Sequence, residues 1–259
     1  MDKIFLIIST VCFFGSFAYA VNGLRAGRHH DNRANLLVMG VGFLFLCATL
    51  YLRGEIHHRC PITSLHEVLI FLSWSMVLLY FILGKTFRLS LLGVFTAPLV
   101  LLFQLAALVG FFLEGEPAAI GKDTDKIDGW LELHASVSLV SFGALALAGV
   151  AGLMYLVQNR QLKRKQLKAL FYNLPPIRYL LTAVVRLIVI GVVLLTIGTI
   201  SAFFMRNVPI PLHQGLSILT WLAYVILLAL YLSKRIGNTK FAQGAMVLFS
   251  LPILILLIL

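Results

Sequence analysis

Eight runs of mostly apolar residues punctuate this chain, at 3–21, 35–52, 65–84, 89–112, 131–157, 179–203, 213–232 and 241–259. A helix of about 20 apolar residues crosses the hydrocarbon core of a bilayer, whereas barrel strands would be about ten residues long and alternate. Lipid offers no partner to a backbone N–H or C=O, so runs of this length dictate helices. The expected fold is all-α: a polytopic membrane protein with eight transmembrane helices and a single integral membrane domain over 1–259. Composition agrees, with 60% hydrophobic and 12% charged residues, against about 25% charged in soluble domains. No long polar tract is left over for a separate soluble domain. The net charge of +11 reads first as topology and not as nucleic-acid binding.

Charge sets the orientation. The loops 22–34, 85–88, 158–178 and 233–240 hold fourteen Lys and Arg residues and one acid, Asp31. The opposite side holds six basic residues, namely Lys3, Arg53, Arg59, Lys122, Lys126 and Arg206. Basic loops stay cytoplasmic, so both termini are expected outside. The stretch "FAYAVNG" resembles a signal-peptidase site. Cleavage after Ala20 would expose Arg25, Arg28 and Arg33 outside, so the first span is read as uncleaved. Arg186, the one charge inside a span, is placed to snorkel toward the cytoplasmic interface. The loop 158–178 alternates basic residues with Leu and Phe until Pro175-Pro176. It is either an ordinary retention loop or a short interfacial helix on anionic lipid.

Three cysteines, Cys12, Cys47 and Cys60, show no CxxC spacing, which argues against a dithiol relay. Of seven histidines, His29 and His30 sit among arginines in a cytoplasmic loop. His57 and His58 lie beside Cys60 in an outer loop, where adjacent residues rarely converge on one metal. His66 opens the third run next to Glu67. His134 and His213 stand apart because each heads a polar stripe on its helix. Ser138 and Ser141 lie at i+4 and i+7 from His134, on one helix face, and Ser217, Thr220, Trp221 and Tyr224 lie at i+4, i+7, i+8 and i+11 from His213. Two readings stand. These are interfacial imidazoles above hydroxyls that bond back to their own helices, or they face each other and ligate one planar metal cofactor. Haem iron accepts two axial histidines, and Arg206 and Arg53 are outer-edge candidates for its propionates.

Four segments then resemble a known family. They are "PITSLHEVLIFLSW" (61–74), "LHASVSLVSFGALALAGVAGLMYLVQNRQLK" (133–163), "RLIVIGVVLLTIGTISAFF" (186–204) and "SILTWLAYVILLALYL" (217–232). Their order, with the Leu-Thr-x-Gly-x-x-Ser run at 195–201, resembles the cytochrome c assembly protein family (the CcsA, ResC and CcmC group). Glu67 keeps a position of that family's Pro-x-x-Asn-x-x-Glu-Ser segment. The family's tryptophan-rich outer segment is replaced here by "FMRNVPIPLHQG" (204–215), and Ser233 stands where the family has a histidine. That pattern is similar to the HemX/YpjD-like branch.

The resemblance implies a haem-handling protein of cytochrome c biogenesis. It would bind haem b near the outer face through His134 and His213 as axial ligands, with Arg206, Trp221, Ser138 and Ser217 around it. Its partners would be haem, other cytochrome c maturation membrane proteins, apocytochrome c and the lipid bilayer. The alternative is a HemX-like membrane regulator or scaffold of haem biosynthesis working through loop 158–178. A small-molecule transporter ranks below both, for want of an inverted repeat or an intramembrane carboxylate. No nucleophile, acid–base pair or nucleotide motif stands out, so any catalysis is expected to be positioning and redox control, as a component of a haem-attachment system.

Overall fold

A computed structural model describes residues 2–26, 32–57, 60–62, 64–87, 92–113, 129–165, 176–205 and 211–258, with the side chains at 23–26, 32–33, 57, 84–87, 92–94, 211–213 and 257–258 left out. The described residues form the helices α1 (Asp2–Ala26), α2 (Asn32–His57), α3 (Leu65–Phe87), α4 (Leu92–Leu113), α5 (Gly129–Lys163), α6 (Ile177–Ala202), α7 (Pro211–Leu232), α8 (Asn238–Leu248) and α9 (Ser250–Ile258). Among the described residues, eight segments are long and apolar enough to cross a membrane. The last, Asn238–Leu256, combines α8 and α9. It is interrupted at Phe249 because Pro252 has no N–H to give the Leu248 carbonyl. Most helices also outrun their apolar cores. Hydropathy ends where polar residues begin, but the backbone ladder goes on into the interface.

Helices α1–α4 pack together as one half and α5–α9 as the other, joined chiefly through α3 against α5. In the first half α1 and α2 run antiparallel with polar rungs two turns apart. Ser16 Oγ donates to Asn35 Oδ1 at 2.7 Å and Ser9 Oγ to the Gly42 carbonyl at 2.9 Å. Gln104 Nε2 on α4 reaches Ser9 Oγ at 3.2 Å. Such bonds matter in lipid, where helices gain no hydrophobic drive to associate.

Helix α5 is the hub, with 78% of its membrane window buried, against 17% for α7. Small residues let three neighbours approach it. A Cβ on Gly143 would collide with Ser75 of α3, one on Gly152 would lie 2.9 Å from the Ala242 carbonyl oxygen of α8, and one on Gly191 of α6 would lie 2.6 Å from Leu145 Cδ2. At 35 residues and about 1.5 Å per residue, α5 is roughly 52 Å long. It therefore stands well clear of a core about 30 Å thick.

Candidate functional site

His134 lies in the second turn of α5 and is 6% exposed. Its Nδ1 donates to the Gly198 carbonyl oxygen of α6 at 2.7 Å. A carbonyl can only accept, so Nδ1 carries the proton in this bond. Two turns further along α5, Ser141 Oγ donates to the Gly191 carbonyl at 2.8 Å. The donors are seven residues apart and so are the acceptors, so one antiparallel seam fixes the imidazole. Between them Ser138 is buried with its Oγ unpartnered among the described residues. It abuts Gly198, where a Cβ would stand 2.5 Å from that oxygen.

His134, Thr199, Ala202 and Phe203 line a cleft of about 40 Å3 together with Gln214, Ser217 and Ile218 of α7. Its walls are mainly apolar, with a few polar groups from three helices. Ser217 of α7 and His134 of α5 thus line the same opening. Trp221 lies one turn below, its Nε1 donating to Thr196 Oγ1 at 2.8 Å and holding α7 to α6. His213 is in the first turn of α7, one turn ahead of Ser217, but its side chain lies outside the described residues. Arg206 and His58 also lie outside them. Reading the sequence misses Gly198, Thr199 and Gln214. The seven-residue spacing of Gly191 and Gly198, with hydroxyls alongside, is the signal that could have found the seam.

Arg53 belongs to a second cluster. Read from the sequence as an outer-edge candidate for haem propionates, it is 4% exposed inside the α1–α4 half. Its Nη1 lies 3.3 Å from Glu67 Oε1, and its Nε 2.9 Å from Asp2 Oδ2, a Coulombic contact without the alignment of a hydrogen bond. The guanidinium carbon stands 4.0 Å over the Phe111 ring, whose other neighbour is the His66 ring at 4.2 Å. His66 Nε2 and Ser64 Oγ are hydrogen-bonded at 2.9 Å. This cluster touches the His134 helix through the backbone N–H of Cys60, which donates to Glu132 Oε1 at 3.0 Å.

The Cys60 thiol is pushed up to about 11, first by burial and then by the Glu132 and Glu67 carboxylates, which oppose a thiolate. Only the thiolate reacts, so alkylation by N-ethylmaleimide at pH 8 is expected to run roughly 100-fold slower than for an ordinary thiol. The rate should climb as pH rises toward 11. Fast labelling of Cys60 at pH 8, measured in a protein lacking Cys12 and Cys47, would contradict this burial. Among the described residues no cluster of three or more His, Cys, Asp or Glu is placed to hold a metal ion.

Fold and cleft together define a multi-pass helical membrane protein with a carbonyl-anchored imidazole at one end of its helices. The family model described as Cytochrome C assembly protein matches residues 62–259, and the chain belongs to that family. Helices α1 and α2 lie outside the matched span. The cytochrome c biogenesis protein CcsA of Chlamydomonas reinhardtii is 28% identical over 210 residues, 76% of this chain and 57% of that protein. The protein of the same name from Trichormus variabilis is 30% identical over 153 residues, covering 58% and 42% respectively. The chain spans about half the length of the curated relatives it matches.

Proposed function

We propose that this protein handles haem in cytochrome c biogenesis, holding it at the His134 end of the helices with His134 and His213 as axial ligands. The observation that carries this reading is the 2.7 Å bond from His134 Nδ1 to the Gly198 carbonyl. Metal-binding imidazoles typically donate their other N–H to a carbonyl or carboxylate, which fixes the tautomer and raises the basicity of the ligating nitrogen. The donor chemistry suits haem, and so do the apolar walls of Ala202, Phe203 and Ile218. The cleft itself is smaller than a porphyrin. Helix α7, 17% buried along its span, is the most lightly packed wall of the cleft. Haem, when bound, supplies an iron that accepts two imidazole nitrogens and exchanges one electron.

The chain's own part is to orient His134, to exclude water with the apolar wall, and to offer Gln214, Ser217 and Thr199 to polar groups. In this reading the His134 end faces out of a bacterial cytoplasmic membrane, both termini with it, and apocytochrome c and other maturation proteins are the partners. Haem b is the proposed form, with Arg206 near its propionates.

The test is an absorption spectrum of detergent-purified protein before and after dithionite, with and without added haemin. Sharp reduced α and β bands are expected from paired nitrogen ligation. A spectrum that never departs from that of haemin in detergent alone would dispose of the reading.

A further inference from the structure

The end of the molecule opposite His134 gathers charge from separate parts of the sequence. Arg160, Lys163, Arg164 and Lys165 close α5, Arg178 opens α6, and Lys234, Arg235 and Lys240 border the α7–α8 turn, all exposed. The groups from α5 and α8 meet through a hydrogen bond, Asn159 Nδ2 to Thr239 Oγ1 at 3.2 Å. The four described carboxylates, Asp2, Glu55, Glu67 and Glu132, all lie at the other end.

A second observation shows that charge here is kept at a backbone cost. The two non-glycine residues with positive φ among the described ones are both lysines of this rim, Lys165 at 52° and Lys234 at 57°. Each sits just past a helix end. At α7 the N–H of Lys234 bonds the Tyr231 carbonyl and that of Arg235 the Leu230 carbonyl, the paired closure that glycine usually completes. A side chain in this conformation is strained. Strain retained on a lysine points to a use for the ammonium.

We propose that this rim is a binding surface for the phosphate headgroups of anionic phospholipid. The basic side chains cluster at the helix ends, close in sequence to exposed Leu162, Tyr179 and Leu232. A phospholipid meets both features at once, with acyl chains along the leucines and phosphate under the arginines, whose planar forks bind it in pairs of hydrogen bonds. A soluble anion would use only the charged half. The inference is independent of haem.

The test measures which lipids stay with the full chain when it is extracted from nanodiscs of equal phosphatidylglycerol and phosphatidylcholine and weighed by native mass spectrometry. Wild type should retain the anionic lipid in excess, on the order of fivefold or more, given the attraction of several basic residues to an anionic surface. The Lys165→Gly/Lys234→Gly double variant should fold at least as well, because glycine relieves the strain, yet lose most of that excess. Adding Arg160→Gln and Arg235→Gln should bring the ratio to about 1. Equal ratios for wild type and a folded variant would overturn the proposal. So would a thermal shift with inorganic phosphate as large as that with phosphatidylglycerol, which would make the rim a site for soluble anions.

Discussion

Replacing His134 by alanine should abolish six-coordinate low-spin haem while the helices stay assembled. The lost hydrogen bond is worth about 1 kcal/mol, and the Gly198 carbonyl keeps the Ser201 hydroxyl at 2.7 Å. Melting temperature should therefore change little. Haem retention should change far more, by over the roughly 10- to 100-fold that loss of a supporting partner costs at a metal site. Haemin titration followed at the Soret band, beside a thermal melt of the same preparation, separates the two effects. His213→Ala should behave alike if the ligands are paired. If His134→Ala kept the wild-type reduced spectrum, this imidazole would be a helix–helix fastener and nothing more.

The second large effect is expected at Arg53. Exchanging it for methionine removes the cation between Asp2 and Glu67 and leaves Glu67, 1% exposed, without its guanidinium. Breaking a buried pair from one side costs about 3–5 kcal/mol, because the remaining charge loses its counterion away from water. Thermal unfolding in detergent should show the loss directly. Arg53→Met/Glu67→Gln should recover part of it, since neighbouring sites in one network do not add. A melt unchanged by Arg53→Met would mean that Asp2, Arg53 and Glu67 are hydrated and not packed.

Much of the fold was legible because membrane insertion is a local test. A run of about 20 apolar residues must be helical in lipid wherever it sits, and eight such runs became eight candidate spans. Pro252 carried the break in the last span in plain view, yet hydropathy is blind to a missing N–H. The ion pairs of Arg53 were hidden for a different reason. At the end of an apolar run it has the signature of an interfacial cation, and only the return of α3 and α1 supplies the carboxylates that draw it inside. The candidate site divides in the same way. His134 and the serines behind it are one stripe on one helix, readable from spacing alone. That its ring is anchored by a carbonyl from Gly198, 64 residues on, depends on the register of two helices. No pattern within either helix records that register.

The length of α5 has a consequence for how the two faces of the membrane are linked. From His134 to Arg160 the same helix runs for about 39 Å at 1.5 Å per residue, with no proline to bend it. Neighbours locked against Gly143, Gly149 and Gly152 leave it little freedom to flex midway. A tilt or slide begun at the imidazole end cannot be absorbed inside such a rod. It must reappear among the arginines and lysines at the far end, so the imidazole end and the basic rim move together.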